Sequence, residues 1–304
     1  TGTNLDPVST NQSFQDSFDK KDFFVDLAYL KFTTAGVGGF EAVPLTAWGG
    51  KFENPFYATP LVWDGDLTFE GAAASITPKI GPVDLFLSGG VFPIDELGVN
   101  GGDPALWGAQ TGATWYVAKD APEEWLKHLS LKGGIGYYDY ANLENGVDIF
   151  ATTLGNTGTF SGGTAPSFTS FRPRDDYNEL DLAGEINSQF FGMPVKLYAD
   201  YVKNTAIADN DEGVQVGFKV GKADKPLGWE AGYYYQRLEP DAVFGLFSDS
   251  DFGEGGTNRS GHVYHATLGT LKNSTVGFKW LVTEEIIGTD RAIDRFQVDW
   301  VTKF

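Results

Sequence analysis

The chain has no cysteine, a single methionine and only three histidines in 304 residues. Without cysteine there is neither a disulfide framework nor a thiolate metal site. The histidines supply no metal pair. His262 and His265 are three apart in a strand pattern and so point to opposite faces, and His128 stands alone. Long apolar runs are also missing. None approaches the ~20 residues of a membrane-crossing helix, which excludes a helical membrane protein but not one that crosses with strands, where only alternate residues meet lipid. Bases are few, 22 against 41 acids, for a net charge of −19. That balance argues against nucleic acid, whose phosphates need a basic surface. No GxSxG, HExxH or glycine-rich phosphate loop occurs, so nothing nominates an enzyme or a cofactor.

What is present is period-two alternation. It is clearest in Arg291 to Phe304, where Phe296, Val298, Trp300, Thr302 and Phe304 alternate with Arg295, Gln297, Asp299, Val301 and Lys303. Such alternation marks a strand with different solvents on its two faces, and a closing strand ending on an aromatic residue resembles that of bacterial outer-membrane β-barrels. Glycine is frequent (39) and aromatics make up 15% of the chain, in keeping with a single all-β domain over residues 1–304. Alternation starts at Asp22, with Phe23, Val25, Leu27 and Tyr29 on one face and Asp26 and Ala28 on the other. It recurs in 42–52, 67–77, 83–92, 106–118, 129–140, 177–189, 195–203, 214–220, 229–236, 262–271 and 275–283, with a helical turn expected in 120–128.

These make thirteen strands in a meander. Links after odd strands are short, whereas those after even strands are mostly longer and include 141–176 and 240–260, the two long loops read as external. Alternating loop lengths are a barrel feature, with short turns on one side of the membrane and long loops on the other. Trp107, Tyr137 and Tyr264 fall near the long-loop ends of their strands, and Trp115, Trp229, Trp300 and Phe304 near the short-link ends. They read as two aromatic girdles. Thirteen strands break the even count of bacterial barrels, so an outward strand is expected ahead of Thr1 and the visible chain reads as lacking N-terminal strands.

One stretch is more specific. Trp48 to Gly71 contains Gly50-Lys51-Phe52, Asn54-Pro55-Phe56, Leu61-Val62-Trp63-Asp64 and Asp66-Leu67-Thr68-Phe69-Glu70-Gly71. With Pro7 to Gln12 and Asp26 to Lys31 it resembles the bacterial putative-porin family. The resemblance implies an outer-membrane transmembrane β-barrel of about sixteen strands, assembled as a homotrimer in the lipid bilayer and passing small hydrophilic solutes, with no cofactor.

On that reading the strand phases put Asp26, Glu70, Asp84, Glu179, Asp181, Glu185, Asp200, Glu230 and Asp299 on the polar lumen face with Lys132, Lys196, Lys219, Lys279 and Arg295. Nine acids against five bases predict a weak cation preference. Two loops could narrow the pore. Residues 51–66 carry Phe52, Phe56, Tyr57, Trp63 and Asp64, and residues 141–176 carry Arg172 and Arg174. The aromatic loop is the better plug, having less entropy to lose on ordering. Asp209, Asp211 and Glu212 are the best oxygen donors for Ca²⁺ but lack full EF-hand spacing, and a solvated acidic tip is the plainer reading. A barrel that sheaths a partner protein, such as an electron conduit, is the alternative function.

Overall fold

A computed structural model describes residues 7–9, 24–34, 43–97, 102–148, 154–161, 170–288 and 291–303. The elements are β1 (Ala28–Thr34), β2 (Leu45–Glu53), β3 (Thr68–Ile76), β4 (Lys79–Ile80), β5 (Val83–Pro93), β6 (Ala105–Tyr116), α1 (Glu124–Lys127), β7 (Ser130–Ala141), β8 (Val147–Asp148), β9 (Gly158–Ser161), β10 (Ser170–Pro173), β11 (Tyr177–Phe190), β12 (Met193–Asn204), β13 (Glu212–Gly221), β14 (Trp229–Leu238), β15 (Arg259–Leu271), β16 (Ser274–Glu285) and β17 (Ala292–Thr302). Thirteen of the strands form one antiparallel path, β1-β2-β3-β5-β6-β7-β11-β12-β13-β14-β15-β16-β17, with β4 paired beside β5. This is the meander that the alternation predicts. Phe304 and Phe23 lie outside the described residues.

The two faces of the sheet are inverted relative to a soluble protein. In β11 the buried Glu179, Asp181 and Ala183 alternate with the outward Leu180, Leu182 and Ile186. In β13 Gln215 is fully buried while Val216 and Phe218 are exposed. Trp107, Tyr137 and Tyr264 are exposed at the long-loop ends, and Trp115, Trp229 and Trp300 at the short-link ends. Trp107 and Trp115 are eight residues apart on β6, which is ~27 Å along a strand at ~3.4 Å per residue and close to the ~25 Å apolar band of an outer-membrane barrel.

The sheet curls around its polar face. A flat sheet would hold β6 and β17 ~38 Å apart, eight strand spacings at ~4.8 Å. Two loops that bond to each other nevertheless bond to Gln110 on β6 and to Gln297 on β17. They can do so because the wall wraps round them. The hairpin of β11 and β12 closes in two residues, Phe191 (φ 52°) and Gly192 (φ 76°). A pair of positive φ values matches the right-handed strand twist.

Four expectations are corrected. Residues 141–176 are not loop throughout. They carry a small sheet ordered β8-β10-β9, whose strands are too short to show a period and are held by Phe171 against Phe160, ring centroids 4.8 Å apart. Asp26 lies ahead of β1 and outside the sheet. The phase of β1 is also opposite to that predicted: Leu30 (84% exposed) and Phe32 (62%) face outward, whereas Tyr29 turns in to Phe52 at 6.3 Å. Register with β2 imposes this at Gly50 (φ 117°), where any Cβ would strike the Ala28 carbonyl. Finally, Glu70 is exposed and out of phase with the buried Phe69 and Ala73. Phe52 opposes Phe69 on the inner face, which leaves Lys51 and Glu70 paired on the other.

Candidate channel lining and constriction

The link between β2 and β3 folds onto the inner wall. Asn54 starts it by accepting the Phe56 N–H (2.8 Å) on its side-chain oxygen. The Gln110 amide then clamps Tyr57 from both sides, accepting its N–H at 2.7 Å and donating to its carbonyl at 2.6 Å. Thr59 opens a turn closed by the Trp63 N–H and donates its hydroxyl to Asp200 on β12 (2.5 Å). The apolar members of the loop pack against wall aromatics. Phe56 and Trp63 lie 5.2 and 5.0 Å from Tyr138, Trp63 lies 5.1 Å from Phe69, and Phe69 lies 4.8 Å from Phe92, all edge to face. Edge-to-face pairs add to area burial, so this loop is held as firmly as a core. Of the candidates, Phe52, Phe56, Tyr57, Trp63 and Asp64 are brought together here.

Arg172 and Arg174 are not. Arg172 donates to the Asn145 carbonyl (3.3 Å), and Arg174 pairs with Asp175 (2.6 Å) at the surface.

The partner of the aromatic loop is residues 239–258, a stretch expected from loop lengths to be an external loop (240–260) and not to narrow the pore; it folds inward instead, bonding Glu179, Lys279 and Gln297 on the inner wall. Ala242, Val243, Phe244, Leu246 and Phe252 are buried in it. The Phe244 N–H donates to Glu179 (2.8 Å). Asn156 donates to the carbonyls of Pro240 (2.7 Å) and Val243 (2.8 Å), and Tyr177 donates to Asp241 (3.0 Å). Farther along, Asp251 meets Lys279 (2.8 Å) and Gln297 (2.9 Å) on the wall. Asp64 joins the two loops, accepting the Asp66 N–H at 2.7 Å on one oxygen and the Ser250 N–H at 2.7 Å on the other. The readable signal was the apolar run Val243 to Phe247, out of place in a solvated tip.

Charge at the loops follows from this packing. Burial pushes the Asp64 carboxyl up against the two N–H groups that favour its charged form. Burial also raises the Tyr57 hydroxyl, and the Glu185 charge adds to that. Burial takes Asp249 up to about 6. Asp251 ends below its ordinary value, because Lys279, Gln297 and Arg295 outweigh its burial.

The lining charges separate into two sets. Glu179, Asp181 and Asp200 sit beneath the loops, at most 1% exposed. Asp84, Glu185, Glu230 and Asp299 remain on the inner wall with Lys132, Lys196, Lys219, Lys279 and Arg295. Adding Asp251 from the loop gives five acids and five bases, so the nine-to-five excess does not describe this wall. Most of these charges are paired, as in Lys196–Glu185 (2.6 Å) and Lys219–Glu230 (2.9 Å). His265 shares the wall, while His262 faces outward and bonds Tyr233 at 2.8 Å. Asp211 and Glu212 are held by Lys203 at 2.8 and 3.0 Å, and Asp209 is exposed beside them. That lysine stands where a cation would. Among the described residues no three His, Cys, Asp or Glu side chains cluster to hold a metal.

None of the curated proteins compared with the chain matches it. A family model described as "Putative porin" matches residues 1–171 and 174–304. Inverted faces, exposed aromatic side chains toward both ends of the strands, inward loops and a match that omits only residues 172 and 173 converge, and the chain belongs to the putative-porin family.

Proposed function

We propose that the chain forms a passive diffusion channel in the bacterial outer membrane, assembled as a homotrimer in the bilayer and passing small hydrophilic solutes and ions. The observation that carries this reading is the inversion of the sheet. Charged and amide side chains line a concave inner face, and large apolar side chains are exposed on the other. Closed into a barrel, a wall of this kind surrounds water. No covalent chemistry is required of it. The sheath alternative is less favoured, because the chain's own loops occupy the space that a threaded partner would need.

The weak cation preference is retained with a different origin. A balanced wall gives little local discrimination, but a net charge of −19 biases ion concentrations at the mouths through the long-range field. Such a field is screened within ~3 Å at 1 M salt and reaches ~10 Å at 0.1 M. Reversal potentials across KCl gradients in planar bilayers test this. Cation preference should be present at low salt and fade at high salt, and clear anion preference at low salt would refute it. Conductance in steps of three, with heat-sensitive oligomers on gels, tests the trimer. Membrane fractionation tests the location.

A further inference from the structure

A cavity of about 500 Å³ lies between the loop after β2 and the inner wall of β3, β5, β6 and β7, toward the short-link end. Ser75, Ser88 and Thr114 bring hydroxyls to it, Tyr57 and Phe86 bring rings, Lys132 brings an ammonium, and the Lys79–Asp84 ion pair (3.1 Å) lies on the same lining. The Phe86 ring lies over Gly112 and Gly134, where a Cβ would collide with it or crowd it. Those two glycines hold the ring in the cavity wall.

Lys132 differs from the other wall lysines. Lys196, Lys219 and Lys279 each hold a carboxylate, at 2.6, 2.9 and 2.8 Å. Lys132 is the register partner of Glu185 on one side and of Thr114 on the other, with Asp84 one strand farther. It nevertheless makes no ion pair with either acid among the described residues. Glu185 is engaged by Lys196 (2.6 Å) and Asn187 (3.0 Å), and Asp84 by Lys79 (3.1 Å). The Lys132 ammonium stands instead 3.6 Å from the centre of the Tyr57 ring and 5.7 Å from that of Phe86.

An ammonium without a carboxylate, flanked by ring faces and hydroxyls, suits a carboxylate carried on a flat apolar body. The ammonium offers a charge-assisted bond. Ser88 donates its hydroxyl to Ser75 (3.0 Å), which leaves the Ser75 and Thr114 hydroxyls to donate to the second oxygen, and the rings pack on the body. We infer that this cavity is a solute subsite for small aromatic monocarboxylates. The inference rests on the channel reading above and adds a substrate class to it. In a protein whose overall field repels anions, a local cation gives an anionic solute a place to dwell.

Benzoate is the probe. Added to wild-type channels in bilayers at low salt, it should reduce potassium current saturably, and acetate should do so much more weakly. Lys132→Gln should weaken the benzoate effect about tenfold, the usual scale for losing a bond to a charged group, and Lys132→Arg should restore most of it. Heat-modifiable migration confirms that each variant is folded. An unsaturable benzoate effect, equal effects on wild type and Lys132→Gln, or equal effects of acetate and benzoate would each overturn the subsite. Calorimetric binding of benzoate to the detergent-folded protein reads the subsite without conductance. Saturable binding there with no ion steps in bilayers would support the subsite and sink the channel reading.

Discussion

The Thr59 hydroxyl, on the loop after β2, donates to the Asp200 carboxylate on β12 at 2.5 Å. It ties the middle of the aromatic loop to a wall residue that is 1% exposed. Removing a hydrogen bond to a charged acceptor costs ~1.5–3 kcal/mol. Thr59→Val should lower unfolding stability in lipid vesicles by about that much and raise open-channel current noise. An unchanged urea midpoint would show that the bond contributes nothing.

Trp63 touches Phe69 and Tyr138 at centroid distances of 5.1 and 5.0 Å and is 2% exposed. Trp63→Ala would leave a cavity where two inward loops meet, at a cost of ~3–5 kcal/mol. We expect a lower unfolding midpoint together with larger single-channel conductance. Loss of stability with unaltered conductance would mean that the aromatic loop does not narrow the pore.

Asp249 and Asp251 should respond to pH in opposite ways. Burial takes Asp249 from its ordinary 3.8 to about 6, so the folded protein holds that proton more tightly than the unfolded chain does. The associated stability is full below 3.8 and is lost as pH rises through about 6. Asp251 is shifted downward, so its contribution is present above its ordinary value and is lost as pH falls through the lower, folded one. Asp249→Asn mimics the protonated form. Its thermal midpoint should match wild type at pH 4 and exceed it at pH 7.5. Equal midpoints at both pH values would remove Asp249 from the account.

The lipid-facing side can be tested by substitution on β13. Val216 is 43% exposed on the outer face, and Lys219 lies on the inner one beside Glu230 (2.9 Å). Arginine on the lipid face near mid-membrane costs ~2–4 kcal/mol, so Val216→Arg should lower unfolding stability by about that amount. Lys219→Arg should change it by no more than ~0.5 kcal/mol. Equal effects would contradict the facing of this strand.

The thirteen wall strands were legible because alternation over some ten residues is the direct signature of a wall between two solvents. Phase failed at β1, where Tyr29 and Leu30 are both apolar and only the register at Gly50 decides which turns inward. Glu70 misled for a related reason. The Phe52 and Phe69 pair claims the inner face at that level, a cross-strand fact that no single segment contains. Alternation puts Asp181 and Asp200 on the polar face with Glu179, but it could not say that loops distant in sequence bury them. The fold-in of 239–258 depends on Asn156, Glu179 and Lys279, residues from three separate parts of the chain.

Asp64 spends one carboxylate oxygen within its own loop and the other on Ser250. The two inward loops are thereby a single cooperative body rather than two independent flaps. A fluctuation that frees one must break its bond to the other. A channel obstructed in this way would flicker between two current levels, with no third level for a half-released plug.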